Sequence, residues 1–215
     1  MKAPSVHWSE FRFNSGRPCL DLPATVRRRA STPYDVLAPP GEAARWLAEA
    51  GLVERGTALA PTQVRQLAQL REAIWAAASA LSRRGKPPAS ALAVINRAAG
   101  YPLPVPQLVV ETCERVSRAR NAFQSALSVL ARDAIELLAG GDARRIKACA
   151  QADCGMLFFD ASPGERRRWC SMDRCGSRAK CLTYRLEKAG RARPARGARN
   201  ALGRRARGKA GRVGA

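Results

Sequence analysis

Four of the seven cysteines form two pairs in the C-terminal part of the chain. Cys149 is followed after four residues by Cys154. Cys170 is followed in the same way by Cys175, and fifteen residues separate the two pairs. Two loops that each supply two thiolates can complete a tetrahedral shell around Zn2+, and a completed shell leaves no open position for water. The spacing therefore predicts a structural zinc site at these cysteines.

The alternative is that these cysteines are buried thiols or disulfides. The total of seven is odd, and the first residues, MKAPSVHWSEFRF, lack the apolar stretch of a secretory signal. No stretch approaches the roughly 18 apolar residues of a membrane-spanning helix. We therefore expect a cytoplasmic protein without membrane contact, in which thiols stay reduced and free to bind a metal.

The fifteen residues between the cysteine pairs predict a β-hairpin. Residues 156–159 (MLFF) are a short apolar run that is typical of a strand. Residues 162–165 (SPGE) contain the proline and glycine of a turn. Residues 166–169 (RRRW) are then expected to return as the second strand.

The residues after the second cysteine pair predict a helix. Ala179, Leu182 and Leu186 recur at helical spacing and form one apolar face. A cysteine knuckle, a hairpin and a second cysteine pair leading into a helix are typical of a treble-clef-like zinc finger. We expect Trp169 and Cys181 to lie in its core, with stacking on a base as the alternative for Trp169.

The motifs C-x4-C-x2-LFFD, RRRWCSM and CG-x-R-x-K occur here in the order of the CGNR-type zinc finger, and about forty residues resemble it. That finger is found at the C-terminus of bacterial stress-induced transcription regulators, so the resemblance implies zinc and DNA binding. Ser177 replaces the Asn of the family's name, and we expect its hydroxyl to retain a local bracing role. Asp160, at the LF-x-D position, is expected to brace arginine or backbone groups around the knuckle.

The start of the chain is similar to another family. The pattern F-x-F-x2-G-x2-CLDL-x2-T at residues 11–25 resembles the beginning of the ABATE domain, which usually precedes a CGNR finger. Ala24 occupies the position of a common Asn, so a ligand contact made by that Asn would be lost. The resemblance implies a helical domain that senses a ligand or mediates assembly.

Apolar periodicity predicts that the first 140 residues are mainly helical. We expect a short helix within residues 34–54, and longer ones at 61–84, 90–99 and 114–139. Residues 101–113 carry three prolines and predict an edge strand or an extended loop. The expected fold class is therefore mainly α with short β-strands.

The chain divides by composition into three predicted parts. They are a mainly helical ABATE-like domain at 1–140, a CGNR-type zinc finger at 143–190 and a disordered basic tail at 191–215. We expect no enzymatic activity, because the one histidine, His7, is close to the terminus and no catalytic triad can be assembled.

Charge predicts the class of partner. The 38 lysines and arginines exceed the 17 acidic residues, which gives a net charge of +21. The tail alone contains nine basic and no acidic residues. Such a balance favours polyanions. The candidate nucleic-acid-binding residues are Arg166, Arg167, Arg168, Arg174, Arg178, Lys180, Arg185 and Lys188.

Several partners remain compatible with this charge. We expect DNA, and the alternatives are RNA or a protein partner with non-specific nucleic-acid affinity. Phosphate contacts and base contacts cannot be distinguished from these residues alone. A small-molecule ligand of the helical domain and a homo-oligomer are further hypotheses.

Overall fold

The computed structural model describes residues 11–191, and the side chains up to residue 188. His7 lies outside the described residues, as does the predicted tail beyond Arg191. The described part is mainly helical with three two-stranded antiparallel sheets, which confirms the predicted fold class. Among residues 11–191, no helix combines the length and the apolar character needed to cross a membrane.

The helices and strands follow one another in a simple order. The α-helices are α1 (Pro18–Asp21), α2 (Glu42–Glu49), α3 (Pro61–Ser82), α4 (Ala89–Ala99), α5 (Ala122–Ala139) and α6 (Ser177–Arg191). The strands are β1 (Val26–Arg27), β2 (Tyr34–Asp35), β3 (Val105–Leu108), β4 (Arg115–Arg118), β5 (Ile146–Ala148) and β6 (Leu157–Phe159). They pair as β1–β2, β3–β4 and β5–β6.

Helices α3, α4 and α5 form the helical body. Helix α3 buries an apolar stripe that includes Leu67, Leu70 and Ile74. Pro61 begins this helix, and the side-chain oxygen of Gln63 accepts a hydrogen bond from the Ala60 N–H at 2.8 Å. The local start signal and the apolar period therefore agree, and this helix is confirmed within two residues of its predicted end.

Helix α5 is shorter than predicted. It begins after Asn121, whose side chain accepts a hydrogen bond from the Gln124 N–H at 3.0 Å. The residues before this cap form β4, which pairs with β3 in the register Val105↔Arg118. The helix prediction over residues 114–121 was wrong because this polar stretch satisfies its backbone in a hairpin instead. The predicted edge strand is confirmed as β3.

The hairpin of the finger has a different second strand from the predicted one. Strand β6 pairs with β5, which precedes the first cysteine, and residues 166–169 form no strand. The other side of β6 is also engaged, because the Phe159 N–H donates to the Ser15 carbonyl oxygen at 2.7 Å. The backbone of residues 166–169 is instead tied to the first cysteine knuckle, because the Arg168 carbonyl oxygen accepts from the Ala150 N–H at 2.8 Å.

The described residues up to Arg178 form one compact unit, and those from Ala179 onward form a second. Within the first unit, Ile146 of β5 and Leu157 of β6 belong to the same apolar core as the helical body. The predicted division at residues 140–143 stays a prediction, and the core is continuous across it.

Candidate metal centre

The four predicted cysteines lie together and are buried. Their sulfur atoms are all within 4.8 Å of one another. The Sγ atom of Cys170 lies 3.7 Å from that of Cys154 and 3.6 Å from that of Cys175. A regular tetrahedron with Zn–S bonds of about 2.3 Å has S···S edges of about 3.8 Å. Both the donor chemistry and the spacing therefore fit a structural Zn2+ ion, and these four cysteines would hold it.

The first cysteine pair is placed by the β5–β6 hairpin. Cys149 follows β5 directly, and its N–H donates to the Met156 carbonyl oxygen at 2.8 Å. Cys154 lies in the connecting turn, which closes when its N–H donates to the Gln151 carbonyl oxygen at 3.0 Å. Gly155 follows with φ +66°, a conformation that side-chain-bearing residues rarely adopt. The knuckle thus presents two sulfur atoms to the same side.

The second pair is placed by a π-helical turn at Met172–Gly176, directly before α6. The Gly176 N–H donates to the Ser171 carbonyl oxygen at 3.0 Å, five residues back, as a π-turn requires. The Ser177 hydroxyl donates to the Met172 carbonyl oxygen at 3.1 Å. This hydrogen bond confirms the bracing role predicted for Ser177.

The sulfur atoms lie within hydrogen-bond distance of one another. Hydrogen bonding from Cys149, Cys154 and Cys170 lowers the pKa of Cys175 far below its ordinary value. Arg178 adds to this effect, because its guanidinium lies 3.4 Å from the Cys175 sulfur. The cluster therefore favours at least one thiolate, which is the form that binds a metal.

Asp160 braces the finger as predicted. Its carboxylate is fully buried and accepts hydrogen bonds from the Lys147 ammonium at 2.7 Å, the Ser162 hydroxyl at 2.6 Å and the Arg167 N–H at 2.9 Å. Burial alone would raise the pKa of Asp160, but these hydrogen bonds outweigh it and lower the pKa well below its usual range. The charged carboxylate thereby fixes the segment that leads to Cys170.

Two of the predicted nucleic-acid-binding residues have hydrogen-bond partners within the finger, and a third, Arg168, lies over the Trp169 ring at 5.0 Å from its centroid. Arg167 stacks over the Phe158 ring at 4.6 Å and donates to the carbonyl oxygens of Trp169 and Cys170. Arg178 forms an ion pair with Asp153 at 2.9 Å. Both side chains therefore brace the finger itself.

The remaining predicted basic residues differ in exposure. Arg174, in the π-turn, is half-buried. The exposed ones are Arg166, Arg168, Lys180, Arg185 and Lys188. Burial alternates along residues 166–169, although these residues form no strand.

Predictions for the finger core were correct for one residue and wrong for another. Trp169 is half-buried and packs against the cysteine cluster, which confirms it as a core residue. Cys181 is exposed on α6, so its prediction as a core residue was wrong. Leu182 and Leu186 of the predicted apolar face are also exposed, which shows that helical periodicity does not by itself identify a buried face.

Sequence reasoning missed the contribution of the N-terminal segment to this centre. Ala24 belongs to the buried cluster that contains the four cysteines, and Arg27, which is 1% exposed, donates to the Ala24 carbonyl oxygen. Arg12 contacts the Met156 sulfur at 3.7 Å. These residues are more than 120 positions away from the cysteines, and no local pattern marks the contact.

The knuckle, the buried thiols and the helix that follows them define a zinc finger joined to a helical domain. The CGNR zinc finger family model matches residues 145–188. The chain belongs to the ABATE family, described as "Putative stress-induced transcription regulator", whose model matches residues 16–141. No curated protein matches the chain. The two family matches support a zinc-binding regulator.

Proposed function

We propose that the protein regulates transcription by binding DNA through its zinc finger and the basic residues that follow it. The observation that carries this proposal is the pair Arg166 and Arg168, two exposed cations held on a segment that the zinc site and Asp160 fix in place. A fixed backbone suits phosphate contacts, because only the two side chains remain to be ordered on binding. The net charge of +21 supplies the long-range attraction.

Only some of the predicted basic residues would touch DNA. Arg167 and Arg178 are committed to the finger, so their loss would weaken binding indirectly by loosening it. The exposed set would contact phosphates, which gives affinity and register without sequence preference. Sequence-specific contacts to base edges remain a prediction for this interface.

A paired substitution tests the proposed interface. Arg166→Gln with Arg168→Gln is expected to make the dependence of log affinity on log salt shallower by about 2, since each phosphate contact contributes about 0.9 to the slope. The matched control is Arg65→Gln with Arg97→Gln, which removes two exposed arginines from α3 and α4. If the salt dependence of DNA affinity has the same slope in the two double variants, residues 166 and 168 of the finger do not lie in the interface.

The alternatives for the partner are distinguished in the same assay. Tighter binding of structured RNA than of duplex DNA at matched salt would favour an RNA-binding finger. Loss of all nucleic-acid binding at modest salt would favour a protein-interaction module. We further propose that the protein is not an enzyme, because four thiolates would complete the zinc shell.

The helical domain offers one place to search for a ligand. A groove of about 1240 Å3 beside α2 is lined mainly by apolar residues, among them Phe13, Leu37 and Val64. Its Arg45 is paired with Glu42 and Glu49 at 2.5 and 2.7 Å. A predominantly apolar small molecule would suit this lining. Ligand sensing and assembly both remain hypotheses for this domain.

A further inference from the structure

Three arginines gather around the cysteine cluster from two distant parts of the sequence. Arg12 and Arg27 come from the N-terminal segment, defined here as residues 11–31, and Arg174 comes from the π-turn of the finger. Burial, followed by the charges of Arg12 and Arg174, lowers the pKa of Arg27 to about 9. Burial and the charge of Arg174 likewise lower the pKa of Arg12. The three cations therefore repel one another in a partly dry environment.

Their hydrogen bonding is incomplete in the same region. The Nε atom of Arg12 is buried and has no hydrogen-bond acceptor among the residues that the structure describes. The Nη1 atom of Arg174 is also buried and likewise has no hydrogen-bond acceptor within residues 11–191. Buried guanidinium groups normally face a carboxylate or another anion. Both arginines thus require a compensating negative charge close by.

The cysteine cluster would supply this charge when it holds its metal. Four thiolates around one divalent ion would carry a net charge of about −2. Arg12 donates to the Met156 sulfur at 3.7 Å, and Met156 lies in the same buried cluster as the four cysteines. N–H groups directed at metal-bound sulfur are also common outer ligands of such centres.

The N-terminal segment is packed closely on the zinc knuckle. A Cβ atom on Gly155 would lie 2.8 Å from the Cβ of Arg29 and 3.1 Å from the Ala30 nitrogen. The Ser31 hydroxyl donates to the Asp153 carbonyl oxygen at 3.3 Å. At the far end of the hairpin, the Phe159 N–H donates to Ser15. Loss of the knuckle would therefore remove the surface on which this segment rests.

We propose that zinc joins the N-terminal segment to the finger, because the ion would hold the knuckle on which this segment packs and would place a negative centre beside the buried groups of Arg12 and Arg174. Removal of the metal opens the knuckle on which residues 11–31 pack, and the segment separates from it. Zinc occupancy is in this way coupled to the conformation of the ABATE-like domain as well as to the folding of the finger.

Hydrogen exchange on the full chain tests this coupling. Zinc-loaded protein is compared with protein treated with a strong chelator, and exchange is followed in residues 11–31, in residues 145–178 and in α3, α4 and α5. We expect faster exchange in the first two regions after chelation, with protection retained in the three helices. Unchanged protection of residues 11–31 after chelation would overturn the proposal.

A charge-removing variant tests the role of the negative centre. Arg174→Met keeps most of the side-chain volume, and we expect its zinc affinity to fall by about 10- to 100-fold, as for other outer-shell changes. In the metal-free state the variant and the wild type should exchange alike in residues 11–31, because the turn that holds position 174 has then opened. Faster exchange of residues 11–31 in the metal-free variant than in metal-free wild type would indicate a purely packing role and would overturn the proposal.

Two further variants control for misfolding and for general effects of charge. Arg12→Met repeats it at a half-buried position in the N-terminal segment, with the same two expectations. Arg97→Met, on the exposed side of α4, should change neither zinc affinity nor exchange. Unchanged zinc affinity in both the Arg12 and Arg174 variants would count against charge balance as the cause.

Discussion

In the helical body, α3, α4 and α5 bury apolar side chains against one another, whereas in the finger the buried groups include four cysteines and a charged aspartate. Leu130 of the body is fully buried among apolar neighbours. Asp160 of the finger is equally buried but is surrounded by hydrogen-bond donors. The two regions share one compact unit and yet depend on different forces.

This difference determines what each region responds to. Burial of apolar surface contributes stability that does not depend on metal concentration and varies little near neutral pH. A metal-held module gains stability only in proportion to metal binding, since binding free energy becomes folding free energy. We therefore expect changes of metal and charge to act on the finger, and changes of side-chain volume to act on the body.

The largest effect is expected for Cys170→Ser, which removes one of the four sulfur ligands. Structural zinc contributes about 10 kcal/mol or more in such modules, so the variant should lose zinc and its finger should unfold while α3, α4 and α5 remain folded. Zinc content measures the loss of the ion from the finger, and far-ultraviolet circular dichroism measures the helical structure that remains. The matched control is Cys113→Ser, at an exposed cysteine. Stoichiometric zinc in the Cys170→Ser protein would contradict the assigned ligand set.

A cavity in the helical body should lower the stability of the protein without changing its affinity for zinc. Leu130→Ala, at the centre of α5, is expected to lower the free energy of unfolding by about 2–5 kcal/mol, because it removes buried methyl groups and leaves a void. Zinc affinity should stay unchanged. Urea unfolding measures the first quantity, and competition with a chromophoric chelator measures the second. A comparable loss of stability in Ile135→Ala, at a 36% exposed position, would argue against burial as the cause.

A smaller effect is expected for Asp160→Asn in the finger. The variant removes the charge that accepts from Lys147 and Arg167, and we expect a loss of about 1–3 kcal/mol at pH 7. Because the pKa of Asp160 is lowered in the folded protein, its contribution is complete above the unfolded pKa of about 4 and is lost as the pH falls through the folded value.

The difference in the free energy of unfolding between wild type and Asp160→Asn should therefore be constant from about pH 5 to pH 8 and shrink only below about pH 4. Unfolding by urea across this range measures it. Asp142→Asn, at an exposed carboxylate that pairs with Arg145, should change stability by less than about 0.5 kcal/mol. A difference that grows toward acid pH would have the wrong sign for a lowered pKa.

Truncation after Gly190 is expected to change folding least of all. It removes nine basic residues, so the dependence of DNA affinity on salt should become much shallower while zinc content and the unfolding midpoint stay the same. The measurement is binding to one duplex at several salt concentrations. An unchanged salt slope would show that the tail does not take part in the interface.

Features set by short-range patterns were predicted well from the sequence. The two cysteine pairs come together because each sits in a short turn, and α3 forms where its apolar period coincides with Pro61. Ser177 and Asp160 bond to groups within about fifteen residues. Local spacing contains this information, and the family resemblances added the regulator assignment.

Features set by distant partners were not predicted. Strand β6 uses β5 on one side and Ser15 on the other, so the turn at residues 162–165 could not reveal that residues 166–169 lack a strand partner. Arg12 and Arg27 reach the cysteines across more than 120 positions. The exposure of Cys181 depends on what covers α6, which periodicity alone does not specify.

The most direct test of zinc-dependent DNA recognition is a selection from genomic fragments at about 150 mM salt, where specific and non-specific binding separate. Zinc-loaded wild type and the Cys170→Ser variant are run side by side, with scrambled duplex as competitor. We predict that the wild type enriches a few fragments and that the variant retains DNA without preference. Uniform retention by the zinc-loaded wild type, or the same enrichment by both proteins, would contradict a zinc finger that directs the protein to its target.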